Sequence, residues 1–440
     1  MRFAFYIFEG SSIAWARRLY DEGCDVLVYH QLKDSRKVGT GLVPLTENKE
    51  EWLTWGEEDP QTIYFFDCSG AGEFAQGLID SGKLVIGSGP FMDKLEKDRE
   101  WGQELAEKVG ILCPPTKRFA SVSAAMKFLE SDPDQEHGDG GWAWKSNKFL
   151  GSDVTLVSKD TKQIMEHLEH VTERFGDNIS CILQEKIKGV AVSTARWFNG
   201  KSFVGPYEGT IENKKFMNDG KGPSTGCALN TVWFYTEESK LHEQLHFDKL
   251  EVEFRLNNAP PGLYDVNCIL NKKGAWFLEW TPRLGIDSEL TSQRGITSLC
   301  DFLKALVLGQ DVNGFFRVDT VYHAVRLSVP PYPNEVKLDK SSALGIRIKG
   351  YDGTWDKFFV GVGVSWDEEK DLHVSDPTGF VGVACTESPS ITEGFEKIYK
   401  FLEKLSVQDL QYRTDAADII IKDVEMMLKA GYETTQAMRR

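Results

Sequence analysis

Residues 212–226 read ENKKFMNDGKGPSTG, and the last eight of them, DGKGPSTG, hold three glycines, a proline and two small hydroxyl side chains. Glycine gives up more backbone entropy on ordering than any other residue, and proline has no N–H to donate. The run therefore suits neither a helix nor an ordinary strand and is expected to be a loop. In isolation a Gly/Pro/Ser stretch reads most simply as a solvent-exposed linker. Its neighbours supply a second reading.

Composition sets the bounds. The chain has 440 residues, 41% of them hydrophobic, enough for about two to four domains with buried cores. Lys plus Arg number 51 against 67 Asp plus Glu, a net charge of -16. That balance disfavours nucleic acid as a partner, because phosphate binding needs a basic face. The eight cysteines are scattered, with no C-x-x-C pair and no Cys/His cluster at zinc spacing, as expected of reduced thiols. No apolar run is long enough to span a bilayer, so no membrane partner is expected. The N-terminal FAFYIF is short and lacks a cleavage site, so it reads as a strand and the chain as cytoplasmic.

FAFYIF, the amphipathic IAWARRLYDEG and the apolar DVLVYH form a β-loop-α-β unit, repeated by TIYFFD, the turn CSGAGE, EFAQGLIDSG and KLVIG. Residues 1–91 are thus expected to be a parallel α/β domain whose ligands sit at the carboxyl ends of its strands, at Glu9–Ser12 and Cys68–Gly72. MDKLEKDREWGQELAEKVG reads as one charged helix closed by Gly110. Residues 117–183 alternate short strands and helices around an acidic loop, and residues 190–280 carry strands of an antiparallel or mixed sheet. SQRGITSLCDFLKALVLGQ reads as a helix, and from about residue 318 short β runs and two helices suggest a separate β-rich lobe. The fold class is α/β, with a parallel N-terminal domain, a middle domain over 92–317 and a C-terminal lobe over 318–440.

LYDVNCILNKKGAWFLEW places Asp265 and Glu279 on neighbouring strands, facing each other across the turn NKKG. Two such carboxylates repel unless a cation lies between them, and oxygen ligands in a partly open site suit Mg²⁺ bridging phosphates. Two solvated strand carboxylates are the plainer alternative. Lys145, in the Trp-flanked WAWKS, needs an anion if it is buried. The nearby GSDVTLV offers a small-residue turn that can close over phosphates. A snorkelling surface lysine and an ordinary turn are the alternative here.

The order of these pieces resembles the ATP-grasp enzymes, and among them the glycinamide ribonucleotide synthetases, the phosphoribosylamine–glycine ligases of purine biosynthesis. The resemblance covers nearly the whole chain and is weakest at the N-terminus. LEKDREWGQELAEKVGI is similar to the helix ahead of the nucleotide lobe, which puts Arg99 at the position of a phosphate-binding lysine. WAWKS resembles the strand that carries the second nucleotide lysine, Lys145, to which the resemblance also gives a catalytic role. ILQEKIKG resembles the hinge whose main chain reads adenine, from Gln184 through Glu185 to Ile187.

ENKKFMNDGKGPSTG resembles the D-H-K-R…D-G-D-x-G-P-N-T-G-G segment, the most specific match. It implies that Asp219, Pro223, Ser224, Thr225 and Gly226 line the pocket of a carboxylate substrate, with Lys214 and Lys215 facing anions. LEWTPRLG resembles L-E-F-N-x-R-F-G, which implies a metal role for Glu279 and Thr281 beside Asp265, and a catalytic substrate or phosphate role for Arg283. AVRLSVPPYPN and LQYRTDAAD are similar to C-terminal segments of the family. ATP and Mg²⁺ are the cofactors implied, with residues 117–183 as a lid.

Departures from the pattern concentrate on the amine side. FEGSSIA stands where the family has G-x-G-G-R-E-H, and DCSGAGE where it has G-P-E-x-P-L. GVAV puts Val190 and Ala191 in place of ribose-holding acids, and the lid loop is shortened to LGSD, leaving Lys148, Gly151 and Ser152 as its phosphate-binding candidates. The expectation is a ligase joining glycine or a similar small carboxylate to an amine other than phosphoribosylamine. A true phosphoribosylamine–glycine ligase and a non-catalytic nucleotide-binding relic are the alternatives. Trp15, Trp52 and Trp55 are expected to pack in the core rather than stack on an aromatic acceptor.

Overall fold

The computed structural model describes every residue except 9, 11, 132–140, 148–155, 335–340, 352–358, 436, 437, 439 and 440. Strand β1 (Arg2–Ile7) alternates its side chains between two hydrophobic layers, Phe3, Phe5 and Ile7 in one and Ala4 and Tyr6 in the other. That period of two, with both faces apolar, is what a strand covered on both sides requires. It lies in the middle of a parallel sheet with β2 (Asp25–His30), β3 (Leu45–Thr46), β4 (Ile63–Phe66) and β5 (Leu84–Ile86), in the order β3-β2-β1-β4-β5. Helices α1 (Ile13–Asp21), α2 (Lys49–Glu57) and α3 (Gly72–Asp80) connect the strands. Trp15 and Trp52 are fully buried in the two layers, and Trp55 lies under the guanidinium of Arg2.

The charged helix expected after this sheet is two helices, α4 (Pro90–Lys97) and α5 (Arg99–Val109). Asp98 breaks it: its φ of -96° and ψ of 84° leave the helical region, and its carboxylate accepts from the N–H of Trp101 as the cap of α5. Gly110 closes α5 in the left-handed region at φ 97°, as its sequence position suggests.

A small antiparallel sheet follows, built from β6 (Thr116–Phe119), β7 (Trp142–Ser146), β8 (Leu156–Val157) and β9 (Cys181–Glu185) in the order β6-β9-β7-β8. Helices α6 (Val122–Ser131) and α7 (Thr161–Phe175) pack on it. Val122, Trp144, Ile164, Leu168 and Leu183 form a core separate from that of the rest of the chain. A layer with its own core can move as a unit.

The main sheet has eight strands. β10 (Val190–Phe198), β11 (Phe203–Met217), β12 (Lys221–Tyr235), β13 (Gly262–Asn271), β14 (Gly274–Thr281) and β15 (Val321–Ser328) are joined by β17 (Phe359–Gly361) and β20 (Phe380–Glu387), with β16 (Arg347–Lys349), β18 (Val364–Trp366), β19 (Leu372–Val374) and β21 (Ser406–Val407) in a separate four-stranded sheet. The order β14-β13-β10-β11-β12-β15-β20-β17 runs straight through the division expected at residue 318. Helices α8 (Lys240–Gln244), α9 (Phe247–Leu256), α10 (Ile286–Ser292), α11 (Leu299–Val307), α12 (Ile391–Leu402) and α13 (Ala416–Lys429) complete the chain. The helix expected over SQRGITSLCDFLKALVLGQ begins only at Leu299. Gly295 packs against the rings of Phe234 and Tyr322, which leaves no room for a side chain, and Ser298 then caps the new helix.

The expected loop DGKGPSTG is a second correction: Lys221–Gly226 belong to β12. Only Asn218–Gly220 form the turn, with Asp219 at φ 60° and Gly220 at φ 66°. Pairing with β11 is irregular here, Lys215 opposite Ser224 and Met217 opposite Lys221, so Pro223 falls at a register shift where its missing donor costs little. The hairpin tip is tied down from far along the chain. Asp415 accepts from the N–H of Asp219 at 2.8 Å, Asn218 donates to Thr414 at 2.7 Å, and the Thr414 N–H returns a bond at 3.1 Å.

Arg413, 1% exposed, holds this latch by pairing with Asp415 and donating to Asn213 Oδ1 at 2.6 Å and the Lys215 carbonyl at 2.9 Å. Arg413→Ala leaves the partly buried Asp415 without its ion pair and the Asn213 and Lys215 oxygens without their donor, a change that costs about 1–3 kcal/mol. The variant is expected to melt at a lower temperature, with faster amide exchange across residues 213–226. Exchange unchanged in that hairpin would show that the latch does not hold it.

Candidate active site

The β13–β14 hairpin does not set Asp265 against Glu279 as expected. Asp265 pairs with Thr281 and Asn267 with Glu279, because Leu278 is an extra residue in the ladder and shifts its register. All four side chains still share one face, since alternate residues of a strand point the same way. Asn267 bridges the group, donating to Asp265 Oδ2 at 3.2 Å and to Thr281 Oγ1 at 3.0 Å. The other oxygen of Asp265 is buried and has no hydrogen-bond partner among the described residues. Burial, followed by Glu289 and Glu212, pushes the Asp265 carboxyl well above its ordinary range.

Glu279 is the electrostatic centre. Lys214 lies 3.6 Å and Arg99 3.8 Å from its two oxygens, distances that pair charges without closing tight hydrogen bonds. Enclosure alone would raise this carboxyl, but Lys214, Lys145, Arg99 and Arg283 together hold it below the ordinary value. Lys145, buried at the end of β7, donates to the carbonyl of Leu278 at 3.3 Å. Burial lowers its ammonium to about 8 against the opposing pull of Glu279. Arg283 instead grips Glu96 of α4, with nitrogens 3.1 and 2.9 Å from one oxygen.

These groups open onto a cleft of about 900 Å³ between the small sheet, α4 and α5, and the edge of the main sheet. Arg99, Lys145, Gln184, Glu279, Thr281 and Arg283 all line it. Its far end is formed by Phe8, Gln31 and the turn Asp67–Gly70, at the carboxyl ends of the parallel strands. Asp67 is buried there and accepts from the N–H of Phe8 at 3.0 Å and the hydroxyl of Ser12 at 2.8 Å.

Other predicted residues stand apart. Glu185 and Ile187 do not line the cleft, and Gln184 uses its amide to reach Gln103 and Thr116. Lys215 donates to the Gly222 carbonyl, Thr225 to the Lys214 carbonyl, and Asp219 pairs with Lys221 near the hairpin tip. Pro223 and Ser224 are exposed, while Gly226 faces the buried ion pair of Arg326 with Asp287. Ala191 is exposed on β10. Lys148, Gly151 and Ser152 lie outside the described residues.

Sequence reasoning missed Asn267, although its place two residues beyond Asp265 puts it on the same face. It missed Glu96 as the partner of Arg283 as well, 187 positions away, for which no local signal exists.

A small antiparallel sheet set over the edge of a larger one, with a charged cleft between them and a parallel α/β unit ahead, is the fold of the ATP-grasp ligases. Among solved structures it is similar to phosphoribosylamine–glycine ligase from Thermotoga maritima, with a TM-score of 0.71 and 17% identity over 94% of this chain and 100% of that one. Biotin carboxylase from Campylobacter jejuni, in a βγ-ATP complex, gives 0.62 and 12% over 99% of each chain. The biotin carboxylase domain of Hydrogenobacter thermophilus 2-oxoglutarate carboxylase, with MgADP and bicarbonate, gives 0.63 and 12% over 99% of this chain and 97% of that one. At such identities the likeness is one of fold. No protein-family model and no curated sequence matches the chain, and no helix among the described residues is long and apolar enough to cross a membrane.

The position of Lys145 makes the cleft's affinity for a polyanion pH-dependent. Its folded value of about 8 lies below the ordinary lysine range, so the cleft loses this charge as pH rises through 8, and a polyphosphate bound there would restore it. ATP affinity, measured calorimetrically, is therefore expected to fall between pH 7 and 9, with proton uptake on binding near pH 8. Lys145→Met should abolish both the slope and the uptake.

Proposed function

We propose that the chain is an ATP-dependent carboxylate–amine ligase that activates glycine or a similar small carboxylate and joins it to an amine other than phosphoribosylamine. The observation that carries this reading is the convergence of Arg99, Lys145 and Arg283 on Glu279 in one cleft, with Lys214 3.6 Å from the same carboxylate. With Arg283 paired to Glu96, three cations remain around one carboxylate, an over-supply that a polyanion balances. ATP, consumed as a substrate, is such a polyanion, and the fold is one whose solved examples hold ATP analogues or ADP.

The oxygens present suit Mg²⁺. Asp265 keeps one unpartnered buried oxygen, Glu279 is held ionised, and Thr281 adds a hydroxyl. Among the described residues no three His, Cys, Asp or Glu groups enclose a metal on their own. That fits a small hard cation which keeps waters and shares phosphate oxygens. Bound by Asp265, Glu279 and Thr281, Mg²⁺ would neutralise phosphate charge.

Lys145 and Arg99 hold the phosphates and offset the charge that grows during transfer. A carboxylate oxygen of the substrate attacks the γ-phosphorus, ADP departs, and an acyl phosphate is left. The amine nitrogen then attacks the acyl carbon, expels phosphate and gives up a proton. Positioning and charge neutralisation supply the catalysis, which explains the absence of any need for a covalent nucleophile. The unit built on β6–β9, with its separate core, is suited to close over the acyl phosphate and exclude water. The rewritten FEGSSIA and DCSGAGE turns support a changed amine.

The test is mass spectrometry of a reaction with Mg-ATP, glycine and phosphoribosylamine generated in place, with ADP followed in parallel. ADP formation that depends on glycine or another small carboxylate, without glycinamide ribonucleotide, is the expected outcome. Glycinamide ribonucleotide at a useful rate would establish the phosphoribosylamine–glycine ligase instead, and no ADP with any small carboxylate would sink the ligase reading. Glu279→Gln is expected to lower ADP formation about 100-fold or more, since it removes the charge that orders the four cations.

A further inference from the structure

At the far end of the cleft, α3 begins at Gly72 directly after β4 and the turn Asp67–Gly70. The first N–H groups of a helix have no partner within it and carry the positive end of its dipole, so such a turn is a natural cradle for a phosphate. In this chain the cradle is occupied by the protein itself. Asp93 of α4 accepts from the N–H of Gly70 at 2.5 Å with one oxygen and from the N–H of Gly72 at 2.9 Å with the other. Its Oδ2 sits so close to Gly72 that an added Cβ would be 2.6 Å away. No side chain of the turn caps α3, so Asp93 is its cap.

The surrounding charge agrees. Asp67, Asp93 and Glu96 stand against Lys97 and Arg283, three carboxylates to two cations, and Arg283 is already paired with Glu96. Ser69 donates to the other oxygen of Glu96. Lys97 lies over Gly70 and offers one charge, while the N–H groups of Gly70 and Gly72 beside it are committed to Asp93. Cys68 remains a neutral thiol, its ionisation opposed by burial and by Asp67.

Resting on the ligase reading above, we infer that the acceptor entering beside Phe8, Gln31 and the Cys68–Gly70 turn is a primary amine bearing no phosphate, because Asp93 occupies the cradle a phosphate would need. The ligase of Thermotoga maritima is named for an acceptor that carries one. An ammonium approaching from solvent is drawn toward the carboxylates, and it gives one proton to solvent water before its nitrogen attacks.

Ribose 5-phosphate is the probe, titrated calorimetrically into the full chain. The wild type is expected to show no saturable binding at millimolar concentration. Asp93→Ala, which empties the cradle beside Lys97, should gain binding about tenfold tighter or better. Asp93→Ser serves where alanine loosens α4, and circular dichroism confirms the fold of each. Saturable binding of ribose 5-phosphate to the wild type overturns the inference, as does an Asp93 variant that stays folded and silent. Mg-ATP is titrated into the same samples. Failure to bind it would count against the ligase reading while leaving the ribose 5-phosphate comparison to report on the cradle alone.

Discussion

The structure around the cleft depends on the charge of Glu279. Its four cations come from four separate parts of the chain: Lys145 from β7, Arg99 from the start of α5, Lys214 from the β11 arm of the long hairpin, and Arg283 from just beyond β14. Buried or half-buried charges are tolerated only in company, and removing one leaves the others poorly compensated. One carboxylate therefore couples the small sheet, the α4–α5 pair and the hairpin electrostatically to the main sheet. The 3.6–3.8 Å spacing of Lys214 and Arg99 from it leaves room for an anion to draw these cations in without breaking tight bonds.

The neighbouring carboxylates are handled differently. Glu208 and Asp265 lie on one row of the main sheet, each opposite Ala195 of β10, and Glu289 of α10 sits against them. Burial raises Glu208, Asp265 and Glu289, and their mutual repulsion adds to it. Glu279, supplied with cations, is the one held low. Environment sets chemically similar carboxyls apart, three raised by burial and one held low by cations, the arrangement that lets a site separate roles among carboxylates.

Much of this was legible in the sequence. The parallel N-terminal strands, the WAWKS strand and the β13–β14 pair carry strong period-two patterns, and Lys145, Arg99, Glu279, Thr281 and Arg283 do meet in one cleft. The errors have local physical causes. Asp98 breaks a continuous helical pattern because its side chain caps better than it propagates. Lys221–Gly226 extend a strand despite glycine and proline because the partner strand and the Arg413–Asp415 latch supply what propensity does not. The one-residue slip at Leu278, which sets Thr281 rather than Trp280 opposite Asp265 and so brings Glu279 and Thr281 onto its face, leaves no mark in composition. Long-range partners such as Glu96 for Arg283, or Asp93 for the α3 turn, are products of the fold, and no window of sequence contains both members.

The latch on the hairpin tip also has a bearing on how the molecule is made. Asn218 and Thr414 are separated by 196 positions, so the arm that delivers Lys214 to Glu279 is anchored by a segment synthesised well after it. During synthesis the N-terminal parallel sheet and the small β6–β9 unit, whose contacts are local, have the means to form early, while the hairpin waits with its tip free. Anchoring of the charged cleft is thereby tied to synthesis of the chain through Asp415: a polypeptide stopped between Ile286 and Arg413 carries every residue that lines the cleft yet lacks the anchor of the arm that reaches it.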